Sequence, residues 1–378
     1  SLPYPLIVGA PVIFEAAATY STATVFDSNS NKVVISYRDV GNSSYGTSVV
    51  GTVSGTTITF GTPVVFETAS VNHLRATFDS TSNKVVIVYS DVGNSSYGTA
   101  IVGTVSGTSI SFGTAVVYNS SGISDSGVTF DSTNNKVVIA YQHNTNSNYG
   151  TAIVGTVSGT AISFGTDVVF ETASVASVAA TFDSANNKVV IAYKDEGNSS
   201  YGTAIIGTVS GTAISFGTAA VFEAASTTYI TATFDSNANK VAIAYKDNGT
   251  TYGTAIVGTV SGTSISFGTA VVFETASVNY LTATFDSSSN RVVISYTDAG
   301  NSSHGTSIAG TISGTSISFG TPVVFEATST TYITATFDSV NNKTVTAYQN
   351  SATYGSAVVS NIPNLLTIGT DYFVQSDG

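Results

Sequence analysis

The dipeptide Phe-Asp recurs at Phe26-Asp27, Phe78-Asp79, Phe130-Asp131, Phe182-Asp183, Phe234-Asp235, Phe285-Asp286 and Phe337-Asp338, at intervals of 52, 52, 52, 52, 51 and 52 residues. The one short interval comes from a loop lacking one residue, DNGTTYG (247–253) where the preceding unit has DEGNSSYG (195–202). A period near 50 held along a chain means that one supersecondary unit is stacked on copies of itself. Such a unit cannot bury its apolar surface alone, so the copies must share a core.

Each unit reads as four strand-like pieces: one ending in TATFDS, then KVVIAY, TAIVGTV and SISFGTxVVF. Val, Ile, Thr, Phe and Tyr dominate them, the residues that suit a pleated, half-buried surface. VVIAY is apolar on both faces, as expected of a strand covered from both sides. No i, i+3, i+4 stripe marks a helix. Gly and Asn-Ser pairs punctuate the strands where turns need positive φ or local side-chain hydrogen bonds. Four antiparallel strands repeated seven times predict an all-β, seven-bladed β-propeller, with an open solenoid or hairpin array as the alternative.

The chain ends favour closure. LIVGAPVIFE (6–15) matches the fourth-strand pattern ISFGTPVVFE before any unit has begun. It is expected to complete the last blade by pairing with GSAVVS (355–360). LLTIGTDYFV (365–374) is a degenerate eighth copy of the same pattern. The expected division is one propeller over 1–362 and a surplus strand or linker over 363–378.

Composition narrows the function. Apolar residues make up 42% of the 378 and charged ones 9%, enough for a core and unusually poor in charge. The absence of Cys excludes disulfides, thiolate nucleophiles and Cys-ligated metals. A net charge of −12 argues against a nucleic-acid partner, which needs clustered Lys and Arg. No run of apolar residues is long enough for a membrane-spanning helix, so no membrane insertion is expected. No G-x-S-x-G elbow or HExxH pattern occurs, and no enzyme is expected.

The units FDSTNNKVVIAY and YGTAIVGTVSGTSISFGT resemble repeats in structural proteins of marine bacteriophages and some environmental bacteria. The tail IGTDYFVQSDG is similar to linkers of phage tail-fibre-type proteins. The resemblance implies a virion or extracellular surface, other virion proteins as partners through the termini, and no catalytic residues.

Function in such a ring must be sought where the copies differ. In a propeller the 1–2 and 3–4 turns lie on one face, the 2–3 and 4–1 connections on the other. The latter vary more, and variable loops on a rigid scaffold carry binding. That face also holds most of the acids, including six Glu from Glu15 to Glu326 and the Asp of the DxGNS loops. A Ca²⁺ site there is conceivable, although one Asp among Gly, Asn and Ser falls short of a calcium loop. The seven Asp after Phe are expected to organise the D-S-x-x-N-K turns by accepting backbone N–H groups. Tyr45, Tyr97, Tyr149, Tyr201, Tyr252 and Tyr354 precede a Gly and are expected to pack between blades; His304 replaces the tyrosine in unit six.

The most variable position lies five residues before the repeated Phe: Ser21, His73, Asp125, Ser177, Tyr229, Tyr280 and Tyr332. It should open the innermost strand at the channel mouth. Arg75 follows His73 by two residues and shares its strand face. The candidate ligand-binding residues are therefore His73, Arg75, Asp125, Tyr229, Tyr280 and Tyr332, with the first three forming one polar spot between units two and three. His143 joins them because unit three departs at both of its variable connections, YQHNTNSNYG (141–150) and YNSSGISDSG (118–127). The expected protein is a non-enzymatic virion or cell-surface module that presents variable loops to a host-surface glycan or protein. The alternatives are a capsid or tail decoration without a ligand and a polysaccharide-active enzyme.

Overall fold

The computed structural model describes residues 6–363. Two tight turns shape every unit. Asp27 is buried at the end of the inner strand, and its Oδ1 accepts the N–H groups of Asn29 and Ser30 at 2.9 and 3.0 Å. Asn31 closes that turn with φ at 54°. The same Asp–Asn pair recurs in all seven units, where a short amide side chain tolerates the left-handed backbone. At the 3–4 turn, Gly55 and its equivalents supply the positive φ.

The pairings form seven four-stranded antiparallel units. In the first, Thr19–Asp27 pairs with Lys32–Asp39, which pairs with Tyr45–Ser54. Tyr45–Ser54 then pairs with both Thr57–Phe60 and the start of Val64–Asp79. The outer strand, expected as one piece, is thus two short segments broken at Gly61–Pro63.

A second departure concerns the 4–1 connection. It was expected as a loop, yet in Val12–Asp27, Val64–Asp79, Val168–Asp183, Ala220–Asp235 and Val271–Asp286 it is continuous strand. Segments such as ETASVNHLRAT hold no Gly or Pro to end the extended chain. Each long strand therefore finishes one blade and starts the next, bending at register shifts. Only two connections interrupt it: a turn with Gly122 at φ 78°, and a single-residue break at Thr330.

The ring closes through the N-terminal segment, as expected. Ile7 and Val8 pair with Asn361 and Ser360, and Val12 to Ala18 pair with Ala357 to Tyr354. At the inner rim the Thr24 and Thr334 hydroxyls bond at 2.8 Å, and the Thr22 hydroxyl donates to the Tyr332 carbonyl. The chain is an all-β propeller. The expected surplus strand over 365–374 lies outside the described residues.

The core lies between the blades. Val33, Val34 and Ile35 are fully buried although their side chains alternate between the faces of the sheet, because both faces meet a neighbouring blade. Close backbone approach adds a further constraint at the perimeter. A Cβ on Gly165 would stand 2.0 Å from the Thr212 carbonyl oxygen of the next blade, and Gly61 meets Thr108 in the same way.

Gly165→Ala should therefore cost about 1–3 kcal/mol, as overpacking does. Gly159→Asn should cost well under about 1 kcal/mol, since that glycine has φ +60° but open space around its Cβ. Denaturant unfolding of the two variants checks this; equal losses would show that close approach is not what Gly165 provides.

Candidate functional site at the channel mouth

The inner strands surround a central cavity of about 870 Å³. Its far opening is nearly uniform, lined by Thr-Phe pairs from Thr77-Phe78 to Thr284-Phe285. The near opening is where the copies diverge.

The backbone explains why the side chains gather there. At the bend of each long strand, one residue takes the left-handed conformation: Ser21, His73, Ser177, Tyr229, Tyr280 and Tyr332 have φ between 48° and 53°. Non-glycine residues adopt this state at a cost of roughly 1–2 kcal/mol. None of the six is β-branched, consistent with the steric demand. Asp125, the seventh, follows the turn at Gly122 and is free of this bend.

The mouth divides into two sectors. Tyr229, Tyr280 and Tyr332 form an arc with centroids 5.5 and 5.2 Å apart and tilted rings. Tyr20 extends it, edge-on to Tyr332 at 5.3 Å, and the Arg38 guanidinium lies 5.5 Å from the Tyr20 centroid. Burial raises the phenol pKa values of Tyr229, Tyr280 and Tyr332, and the neighbouring phenols add to this. The second sector holds His73, Arg75 and Asp125. Arg75 Nη2 stands 3.7 Å from Asp125 Oδ1, while Arg75 Nη1 donates to the Leu74 carbonyl at 2.9 Å. The polar spot expected between units two and three is thus assembled, with Ser21 and Ser177 separating it from the arc.

His143 is the exception. It ends the second strand of its blade, stacks on Tyr141 at 6.1 Å and does not line the cavity. Being on the loop-bearing face does not by itself bring a residue to the cavity wall. His304 pairs with Asp298 and Ser329, also away from the cavity. Among the described residues, no group of three His, Asp or Glu side chains is placed to hold a metal.

The proposed calcium loops have a structural account. Asp39, Asp91 and Asp298 cap short 3₁₀ turns, accepting the N–H groups of Asn42, Asn94 and Asn301 at 3.1 to 3.2 Å. The six Glu are likewise committed. Glu15, Glu67, Glu171, Glu223, Glu274 and Glu326 accept the hydroxyls of Tyr37, Tyr89, Tyr193, Tyr245, Tyr296 and Tyr348 at 2.8 to 3.1 Å. Burial and the carboxylates push those phenols far up, so they remain donors. These bonds went unnoticed in the sequence, although a constant Glu-to-Tyr spacing of 22 residues announces them.

Three cavity residues were also missed: Tyr20, Asn72 and Arg38. Tyr20 pairs across the strands with Arg38, and Arg38 Nη1 donates to Asn72 Oδ1 at 2.8 Å. For Arg38 the signal was a second variable position, the residue after the buried Tyr: Arg38, Ser90, Gln142, Lys194, Lys246, Thr297 and Gln349; Tyr20 and Asn72 stand directly before the bend residues Ser21 and His73.

The fold and this mouth define a β-propeller with an asymmetric central opening. The BP39L lectin from Burkholderia pseudomallei superposes with a TM-score of 0.66 at 10% identity, over 93% of this chain and 99% of that one. AofleA from Arthrobotrys oligospora gives 0.54 at 10% identity, over 85% and 92%. No protein-family model and no curated protein matches the chain.

His73 yields a pH prediction. Burial lowers its pKa; Asp125 opposes this and Arg75 reinforces it. As pH falls through about 6.5, the unfolded chain takes up this proton before the folded one. Stability should therefore decline below about pH 6.5, down to the depressed folded-state value. Thermal melts between about pH 7.5 and 5.5 should show a falling Tm, and His73→Gln should flatten most of that slope.

Proposed function

We propose that this propeller is a non-enzymatic, glycan-binding module of a virion or cell surface, and that the channel mouth is its binding site. The observation that carries the reading is the contiguous arc Tyr229–Tyr280–Tyr332–Tyr20 on the wall of an open cavity. Tyrosine rings offer large apolar faces with a hydrogen-bonding tip, which suits the C–H face of a pyranose and its hydroxyls. The cavity volume falls within the usual range of small-ligand sites, about 300–1,000 Å³. The name of the BP39L lectin supports the same direction. The virion or cell-surface setting rests on the sequence resemblance alone.

A second reading, architectural decoration, is favoured by one observation. Ile13, Val65, Val117, Val169, Val221, Val272 and Val324 form a set of equivalent aliphatics on the outer strands, each 37% to 51% exposed. A ring of this kind could seat against neighbouring particle subunits.

Glycan-array binding followed by titration separates the two. On the glycan reading, Tyr280→Ala weakens binding at least tenfold, about 1.4 kcal/mol, while Val221→Lys leaves it unchanged. Absence of binding to any glycan, with particle association lost in Val221→Lys, would establish decoration instead.

A further inference from the structure

The glycan reading treats the mouth as an aromatic surface, but the charges around it make a more specific demand. The chain carries −12 overall, with only 11 Lys and Arg. Six Lys and Arg291 take the position that opens the second strand, beyond the 1–2 turn. Of the four bases elsewhere, Lys194 pairs with Glu196 at 3.1 Å and Lys246 donates to Asn279. The remaining two, Arg38 and Arg75, both line the central cavity, where Asp125 is the sole acid among the described residues. An acidic protein has thus placed two guanidinium groups and one carboxylate around its central opening.

The two arginines are not equivalent. Arg75 is engaged by Asp125 and by the Leu74 carbonyl. Arg38 has no carboxylate within ion-pair distance among the described residues. It is positioned by Tyr20 and Asn72, both neutral, and its Nε is buried without a hydrogen-bond partner. A buried donor left unpaired is unfavourable, and a planar fork held in place by its neighbours is preorganised for an oxyanion. This guanidinium caps the tyrosine arc, so a saccharide ring lying on the arc would carry its substituent toward Arg38.

We propose that the channel mouth is a single site, one per chain, for an anionic saccharide. The apolar ring face lies on Tyr332 and Tyr280, and the carboxylate or sulfate is held by Arg38. The inference rests on the glycan reading and deepens it. It departs from the multivalent binding that a repeat ring suggests, because Arg38 and the arc each occur once in seven blades. Apart from Asp125 no acid lines the cavity among the described residues, and the six Glu are tied to tyrosine hydroxyls between blades. Their field beyond about 8 Å is screened at physiological salt.

The test is calorimetric titration of the intact chain at about 0.15 M salt. The probes are a galacturonate trisaccharide, its methyl-esterified counterpart, and a sulfated galactan trisaccharide. The expected result is one site per chain, with the ester bound at least tenfold more weakly than the acid. Preference for the uronate or for the sulfated probe identifies which oxyanion Arg38 takes. Arg38→Met should abolish the preference for the acid over the ester, and an unchanged circular-dichroism spectrum shows that the ring is folded. Lys194→Met, the same charge change on a residue that does not line the cavity, should leave the preference unchanged. Equal binding of acid and ester, equal effects of the two variants, or several sites per chain would overturn this inference while leaving glycan binding standing. If no saccharide binds, or Tyr280→Ala changes nothing, the glycan reading falls with it.

Discussion

The second strand of each blade has no solvent face, and the rest of the molecule follows from that. A strand such as Lys32–Asp39 projects Val33 and Ile35 to one side and Val34 to the other, and all three are fully buried. At roughly 25 cal/mol per Å² of apolar surface, exposing either side would be too costly for a blade to stand at the end of a row. Every blade needs two neighbours, so the array must close, and the N-terminal segment lends its outer strand to the seventh blade. The blades are also aligned by polar contacts. In six of the seven blades the buried Tyr of the second strand donates to the Glu that arrives on the preceding blade's outer strand, a bond to a charged acceptor of the kind worth about 1.5–3 kcal/mol.

This arrangement separates scaffold from site. The same long strand that carries Glu to its Tyr bends a few residues later, and at the bend one residue per blade turns its side chain to the channel mouth. The backbone there is nearly identical in six blades, whatever the side chain. Chemistry can therefore change at the mouth without altering the interblade packing. Tyrosine in three consecutive blades, serine in two and histidine in one are alternative fillings of one geometry.

Much of this was legible in the sequence, for identifiable reasons. Period, strand number and the closing role of residues 6–15 could be read because a repeat averages out local ambiguity. The turn role of Asp27 and its copies could be read because Asp, Asn and Lys stand at fixed offsets. The placement of His73, Arg75 and Asp125 together followed from position in the unit. What could not be read was radius. His143 shares a face with His73 but sits further from the axis, and neither spacing nor composition encodes that distance. Nor could Arg38 be joined to Tyr20, since their proximity depends on cross-strand register past a bulge. The 4–1 connection was misjudged as a loop because variability was taken for irregularity, whereas a strand can vary freely on the face it presents to a cavity.

Radius also reinterprets the departures of the third unit. There Asn119 replaces the Glu that should accept from Tyr141. Asp167 stands where the other units have Pro or Ala, and the Tyr141 hydroxyl donates to it at 3.3 Å while Asn119 Nδ2 donates to that hydroxyl at 3.4 Å. The phenol has lost one carboxylate and acquired another from its own blade's outer strand. An unpaired hydroxyl at that depth would cost more than a longer bond gives up, so the two exchanges belong together as one repair of the interblade contact. The packing does not impose such a repair at the mouth, where Asp125 meets Arg75 in the open cavity. At the outer radius the departure at Asn119 is thus matched by the one at Asp167, although the buried hydroxyl of Tyr118, which replaces a Phe in the same unit, has no partner among the described residues. Departures at the inner radius pair with one another, Arg75 with Asp125 and Arg38 with Asn72, and do so on the wall of an open cavity.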